Sequence, residues 1–141
     1  MRSARKFARL SGAERRLVLD AWVTVALFRG ALTVLPFRWV RDRAHAARRR
    51  TSAGRLPADR YSWAVTVASR RVPKATCLTQ ALALQSLLTR AGYESDLRIG
   101  VATSDAGRFE AHAWLESEGR ILIGGDVGRF TVLTPDARAA R

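Results

Sequence analysis

Of the side chains that usually bind metals or carry redox chemistry, this 141-residue chain has few: one cysteine, one methionine and two histidines. With Cys77 alone there is no disulfide framework and no thiolate metal site. His45 and His112 are isolated, so neither histidine has metal-ligand spacing. There is no Gly-x-x-x-x-Gly-Lys phosphate loop. The chain is therefore expected to use neither a metal nor a cofactor. Lysine is almost missing, only Lys6 and Lys74, and acids are scarce at 12 against 25 basic residues. An uninterrupted membrane-length run is missing too, because Asp20 and Arg29 break the apolar stretch at 17–35 and no small-residue cleavage site follows it. That stretch reads as a soluble helix without stable membrane insertion, and a cytoplasmic location is expected. Arg15-Arg16 does not make a twin-arginine signal, since the apolar stretch after it is interrupted.

What remains is globular: 48% hydrophobic residues with modest proline and glycine. The length allows one domain over 1–141 and is too short for two ordinary ones. The net charge of +13 is unevenly placed. Residues 1–71 hold 17 Lys/Arg against 4 acids, and residues 72–141 hold 8 against 8. A basic first half can meet nucleic acid, anionic lipid, or an acidic protein or peptide, and it can also be plain drift toward arginine.

Ser11 and Glu14 have capping-box spacing. Leu17, Ala21, Val25, Phe28, Leu32 and Leu35 then repeat with helical period until Pro36. Further helices are expected over 37–50 and 58–71, separated by a loop with Ser52, Gly54 and Pro57. After Pro73, Thr76 caps a helix over 77–91 that ends at Gly92. Its polar stripe is only Thr79, Ser86 and Arg90, which predicts a central helix covered on most sides. The period then becomes two. Leu97, Ile99 and Val101 mark a strand, and Ser104-Asp105-Ala106-Gly107 a turn. The next strand puts Phe109, Ala111, Ala113 and Leu115 on one face and Glu110, His112, Trp114 and Glu116 on the other. Glu118-Gly119 leads into a last strand at 120–124. Helices come first and an antiparallel sheet second, an α+β order.

The chemistry gathers in the second half. Cys77 opens its helix, where unpaired N–H groups and the positive end of the helix dipole favour negative charge on sulfur. It also fits a small buried residue at a helix start. His112 lies mid-strand off the apolar stripe, as a base or as a solvent-facing histidine. For Asp126 the register decides. A two-residue loop at Glu118-Gly119 pairs His112 with Gly125, whereas a three-residue loop at 118–120 pairs it with Asp126 on the same face, within reach of the imidazole. Otherwise Asp126 is a turn former after Gly124-Gly125. Together the three supply nucleophile, base and orienter in the order Cys77, His112, Asp126. The Cys77 backbone N–H is one oxyanion donor, and Trp63 and Trp114 read as core or pocket walls.

The stretch Val72-Pro73-Lys74-Ala75-Thr76-Cys77-Leu78, the helix Ala81-Leu82-Ala83-Leu84-Gln85-Ser86-Leu87-Leu88 with Gly92, and Ala111-His112-Ala113-Trp114-Leu115-Glu116 resemble the transglutaminase-like peptidase domain of lasso-peptide maturation proteins. The resemblance covers about residues 55–133. It implies a papain-like or transglutaminase-like fold and a cysteine peptidase with Cys77, His112 and Asp126 as its triad. It implies removal of the leader from a ribosomally made precursor, before a separate ATP-dependent cyclase closes the macrolactam. In that family a small recognition domain holds the leader. No such strand-rich domain precedes Cys77, so the resemblance implies a stand-alone peptidase acting with a separate leader-recognition protein.

Two rival readings stand beside this one. The same acyl-enzyme attacked by an amine gives transglutaminase-type transfer. A non-catalytic nucleic-acid or membrane-surface module would use the basic helices alone and be indifferent to Cys77. The triad candidates, however, lie in the half whose net charge is zero, and no nucleic-acid partner is expected.

Overall fold

The computed structural model describes residues 6, 8–45 and 56–133. Within them the order is α1 (Gly12–Val34), α2 (Phe37–His45), α3 (Ala58–Ser69), α4 (Cys77–Arg90), β1 (Asp96–Thr103), β2 (Phe109–Ser117), β3 (Arg120–Ile123) and β4 (Thr131–Val132). This is the expected α+β order. The expected end of the second helix at 46–50 and the loop at Ser52 and Gly54 lie outside the described residues.

Helix α1 starts where the capping box predicts. The Ser11 hydroxyl accepts from the Glu14 N–H, and the Glu14 carboxylate accepts from the Ser11 N–H at 2.9 Å. Arg60 on α3 pairs with the same carboxylate, which ties the start of α1 to α3. The Ser11 N–H, then the Ser11 hydroxyl and the Arg60 charge, hold the Glu14 carboxyl below its ordinary range. Leu17, Val18, Ala21 and Val25 form the buried stripe of α1 and meet Ala64, Val65 and Ala68 of α3.

Helix α4 is buried on nearly its whole circumference. Thr79 and every residue from Ala81 through Leu88 are inaccessible, including the supposed polar stripe at Thr79 and Ser86. Leu84, Leu87 and Leu88 join the cluster with α1 and α3, while Leu82 packs on Val40 and Ala44 of α2. Arg90 extends from the last turn to α1, where it donates to Thr24 Oγ1 at 3.1 Å and to Asp20 at 3.4 Å. Leu97 and Leu115 carry the same apolar layer onto the sheet.

The sheet order is β3-β2-β1-β4 with every pair antiparallel. The turn at Ser104 is closed by the Gly107 N–H on the Ser104 carbonyl at 2.8 Å. Between β2 and β3 the loop has two residues, Glu118 and Gly119, since Ser117 pairs with Arg120. The ladder then shifts by one, from Glu116 opposite Ile121 to Leu115 opposite Ile123. A β-bulge at Leu122 thus supplies the extra residue that a three-residue loop was expected to supply. Strand β4 was not anticipated. It lies on the far edge of β1, so residues 124–130 must cross the sheet from the β3 edge to the β4 edge, a strap over β2 and β1.

Trp114 fills the space beneath that strap and is only 1% exposed. Its indole lies over Gly100, where an added Cβ would meet ring carbons at 2.8 Å, and its Nε1–H donates to Glu116 at 2.9 Å. Gly124 crosses directly above it. A Cβ there would sit 2.3 Å from the Trp114 Cβ, and its φ of +121° lies where L side chains are strained.

Two predictions follow from the caps and the strap. Ser11→Ala should cost about 1 kcal/mol in denaturant unfolding. Because the folded Glu14 carboxyl titrates below its unfolded value of about 4.3, its contribution is present above that pH and disappears as pH falls through the folded value. The stability gap between wild type and Glu14→Gln should therefore shrink on acidification, and an equal gap at all pH values would refute the role of the cap. Gly124→Ala combines strain with a clash and should cost on the order of 3 kcal/mol or more. Gly125→Ala, where an added Cβ meets nothing, should cost about 1 kcal/mol from the backbone alone. Thermal melts of the two separate the effects.

Candidate functional site

Cys77 is the first residue of α4 and is half-buried. The chain reaches it through Pro73 and Lys74, the latter with φ of +58°, and Thr76 caps the helix by accepting from the Thr79 N–H at 3.3 Å. Gln80, one turn on, donates to the Ala75 carbonyl at 3.3 Å and braces the entry segment. A Thr cap spends its own oxygen on Thr79 and leaves the Cys77 N–H outside the helix ladder, as an oxyanion donor must be.

His112 sits on β2 opposite Gly100. Strand alternation puts it on the strap face with Trp114, while Ala113, Leu115 and Ser117 are buried on the helix face. Its ring stacks on Phe130 with centroids 5.1 Å apart and on Trp114 at 6.3 Å. His112 Nε2 lies 2.7 Å from the Gly124 carbonyl oxygen. A carbonyl only accepts, so Nε2 carries the proton and, in the neutral ring, Nδ1 is left as the basic nitrogen. The strap is fastened on both sides of this bond. Arg129 pairs with Glu110 of β2 at 2.7 Å and lies over the Phe130 ring.

The β2–β3 ladder ends at Leu115 opposite Ile123, so Asp126 lies in the strap rather than paired with His112, and its carboxylate is engaged locally. Asp126 Oδ1 accepts from the Gly128 N–H at 3.0 Å, closing a turn inside the strap. Among the described residues, no hydrogen bond joins His112 to Asp126 or to the Cys77 sulfur. The structure thus brings His112 together with Gly124, Phe130 and Trp114. It leaves Cys77 at the head of its helix and Asp126 in a turn. Both tryptophans belong to the packing, as expected: Trp114 is buried beneath the strap, and Trp63 packs against the core cluster with the Arg60 guanidinium over its ring.

Sequence reasoning missed the Gly124 carbonyl and Phe130. A backbone acceptor has no signature in residue type, but Gly124 had a detectable one, a glycine next to a second glycine just before the candidate acid. Among the described residues no group of three His, Cys, Asp or Glu side chains is placed to hold a metal ion.

A half-buried thiol at a helix start and an imidazole with one nitrogen fixed by the main chain suit acyl transfer through a thioester. No curated protein and no solved structure matches the chain. A family model described as transglutaminase-like superfamily matches residues 16–135, from the second turn of α1 through α2, α3, α4 and the whole described sheet. The chain belongs to the transglutaminase-like superfamily.

Proposed function

We propose that this protein is a cysteine peptidase that removes the leader from a lasso-peptide precursor, with Cys77 as nucleophile and His112 as base. The observation that carries the catalytic part is family membership spanning both residues, with Cys77 at the start of the buried helix. Two bonds show how α4 and the sheet are held together. Gln85 in the middle of α4 donates to the Ser95 carbonyl at 3.5 Å and Ser117 at the end of β2 to the Glu94 carbonyl at 2.6 Å, so the α4–β1 connection is tied to both. The thiol–imidazole contact this mechanism needs is part of the proposal and rests on family membership.

In this mechanism His112 Nδ1 takes the Cys77 proton, and the sulfur attacks the carbonyl carbon of the leader–core bond. The developing oxyanion meets the Cys77 N–H. The imidazolium, held through Nε2–H by the Gly124 carbonyl, gives its proton to the departing amine. Water, deprotonated by His112, then hydrolyses the thioester and releases the leader. Orientation of the ring by Gly124 leaves Asp126 the task of shaping the strap. An orienting role for Asp126 itself is the competing assignment.

The lasso-precursor substrate rests on the resemblance of the Val72 to Leu78 stretch and of Ala111-His112-Ala113-Trp114. So do a separate leader-recognition partner, a downstream cyclase and a cytoplasmic setting. The same family membership supports a second reading, in which an amine replaces water and the product is an amide.

Mass spectrometry of a lasso-type precursor incubated with this protein and a leader-binding partner tests the reading. Wild type should release an intact leader, and Cys77→Ala and His112→Ala should fall by about 10³-fold or more. A product heavier by an added amine supports transfer instead. Asp126→Asn should cost about tenfold or less if Gly124 orients the ring, since only a turn is loosened. A loss near that of His112→Ala would return the orienting role to Asp126.

A further inference from the structure

Helix α1 is long and apolar enough, by length and composition, to cross a membrane, yet only 28% of its most apolar window is buried. A core helix would be mostly covered. The covered part is the stripe of Leu17, Ala21 and Val25. The opposite face is apolar and bare: Leu19 is 56% exposed, Trp22 and Val23 46% each and Leu27 67%. These positions, with Gly30 and Val34, recur at three- and four-residue spacing and form a single stripe. The exposed apolar surface continues through Leu35 to Trp39 on α2.

The charges are arranged around this stripe rather than along it. Arg9, Arg15 and Arg16 are exposed at its N-terminal end, and Arg38 and Arg43 at its C-terminal end. Arg43 stacks over Trp39 at 4.8 Å. The described acids of this half are matched by arginine, Glu14 by Arg60, Asp20 by Arg90, Asp42 by Arg41 and Asp59 by Arg120. The field presented outward is therefore cationic. The helix cannot span a bilayer while its inner stripe is the core of the fold, and Arg90 holds Thr24 and Asp20 from within.

We propose that this face of α1 docks the protein on an anionic lipid surface, with the helix lying in the plane of the membrane. A bilayer interface offers acyl chains and negative headgroups in one continuous surface. That matches an aliphatic stripe with tryptophans at its borders and arginines at its ends. An acidic protein partner would have to place its charges beyond both ends of a stripe about 20 Å long and cover it with apolar residues between. Docking leaves Cys77 and the strap untouched, so it neither requires nor supports the peptidase reading.

The test is co-sedimentation of the full chain with vesicles of phosphatidylcholine alone or equimolar with phosphatidylglycerol. The charge-preserving variant Leu19→Ser/Leu27→Ser is measured alongside, with circular dichroism to verify its fold and sedimentation velocity to follow self-association. Wild type should bind the anionic vesicles and the double variant about tenfold more weakly or less. Equal binding by both proteins would reduce the effect to net charge and overturn the proposal. Absence of vesicle binding overturns it as well. If it is accompanied by a dimer that the double variant loses, the face belongs to a second copy of the chain.

Discussion

Helix α4 has no side that water can wet, and the rest of the molecule is arranged to supply cover. A helix that is apolar all round must be enclosed, so α1, α2 and α3 close around it on one side and the sheet on the other. The enclosure holds the start of the helix, and with it Cys77, in place. The thiol sits where the cover ends, at the half-open first turn of the helix. Burial of the remaining turns fixes its direction as firmly as a dedicated hydrogen bond would.

The sheet is under a different constraint. Its second face is covered by chain rather than by a layer of helices, and a single indole supports that cover. Trp114 fits because Gly100 below and Gly124 above have no side chains, and the strap then lies close enough for a main-chain oxygen to reach His112. Packing and chemistry are thus coupled through one residue. The buried tryptophan sets the height at which the carbonyl passes over the imidazole.

Much of this was legible in the residues. The capping box at Ser11 and Glu14 marks the start of α1 correctly, the break at Pro73 and cap at Thr76 mark α4, and alternation along β2 puts His112 opposite the buried Ala113 and Leu115. These features are local and have a chemical signature. What escaped was non-local. Strand β4 is two residues long and exists because β1 has a free edge. The bulge at Leu122 has no characteristic residue, and the departure of the chain from the ladder after Ile123 has none either, whereas loop counting carried the register on to His112. Asp126 was legible as an acid near the end of the last long strand. That its oxygen closes a local turn depends on Gly128, two residues on.

The Gly124 carbonyl has a consequence for how this site tolerates change. A carboxylate partner is lost by one base change in a codon, whereas a main-chain acceptor survives nearly any substitution around it. It is lost when the number of residues between the β2–β3 loop and the strap changes, or when a side chain appears at Gly124. Drift in this segment is therefore filtered by length and by one glycine, and relatives can differ there in almost every letter while the imidazole keeps the same neighbour.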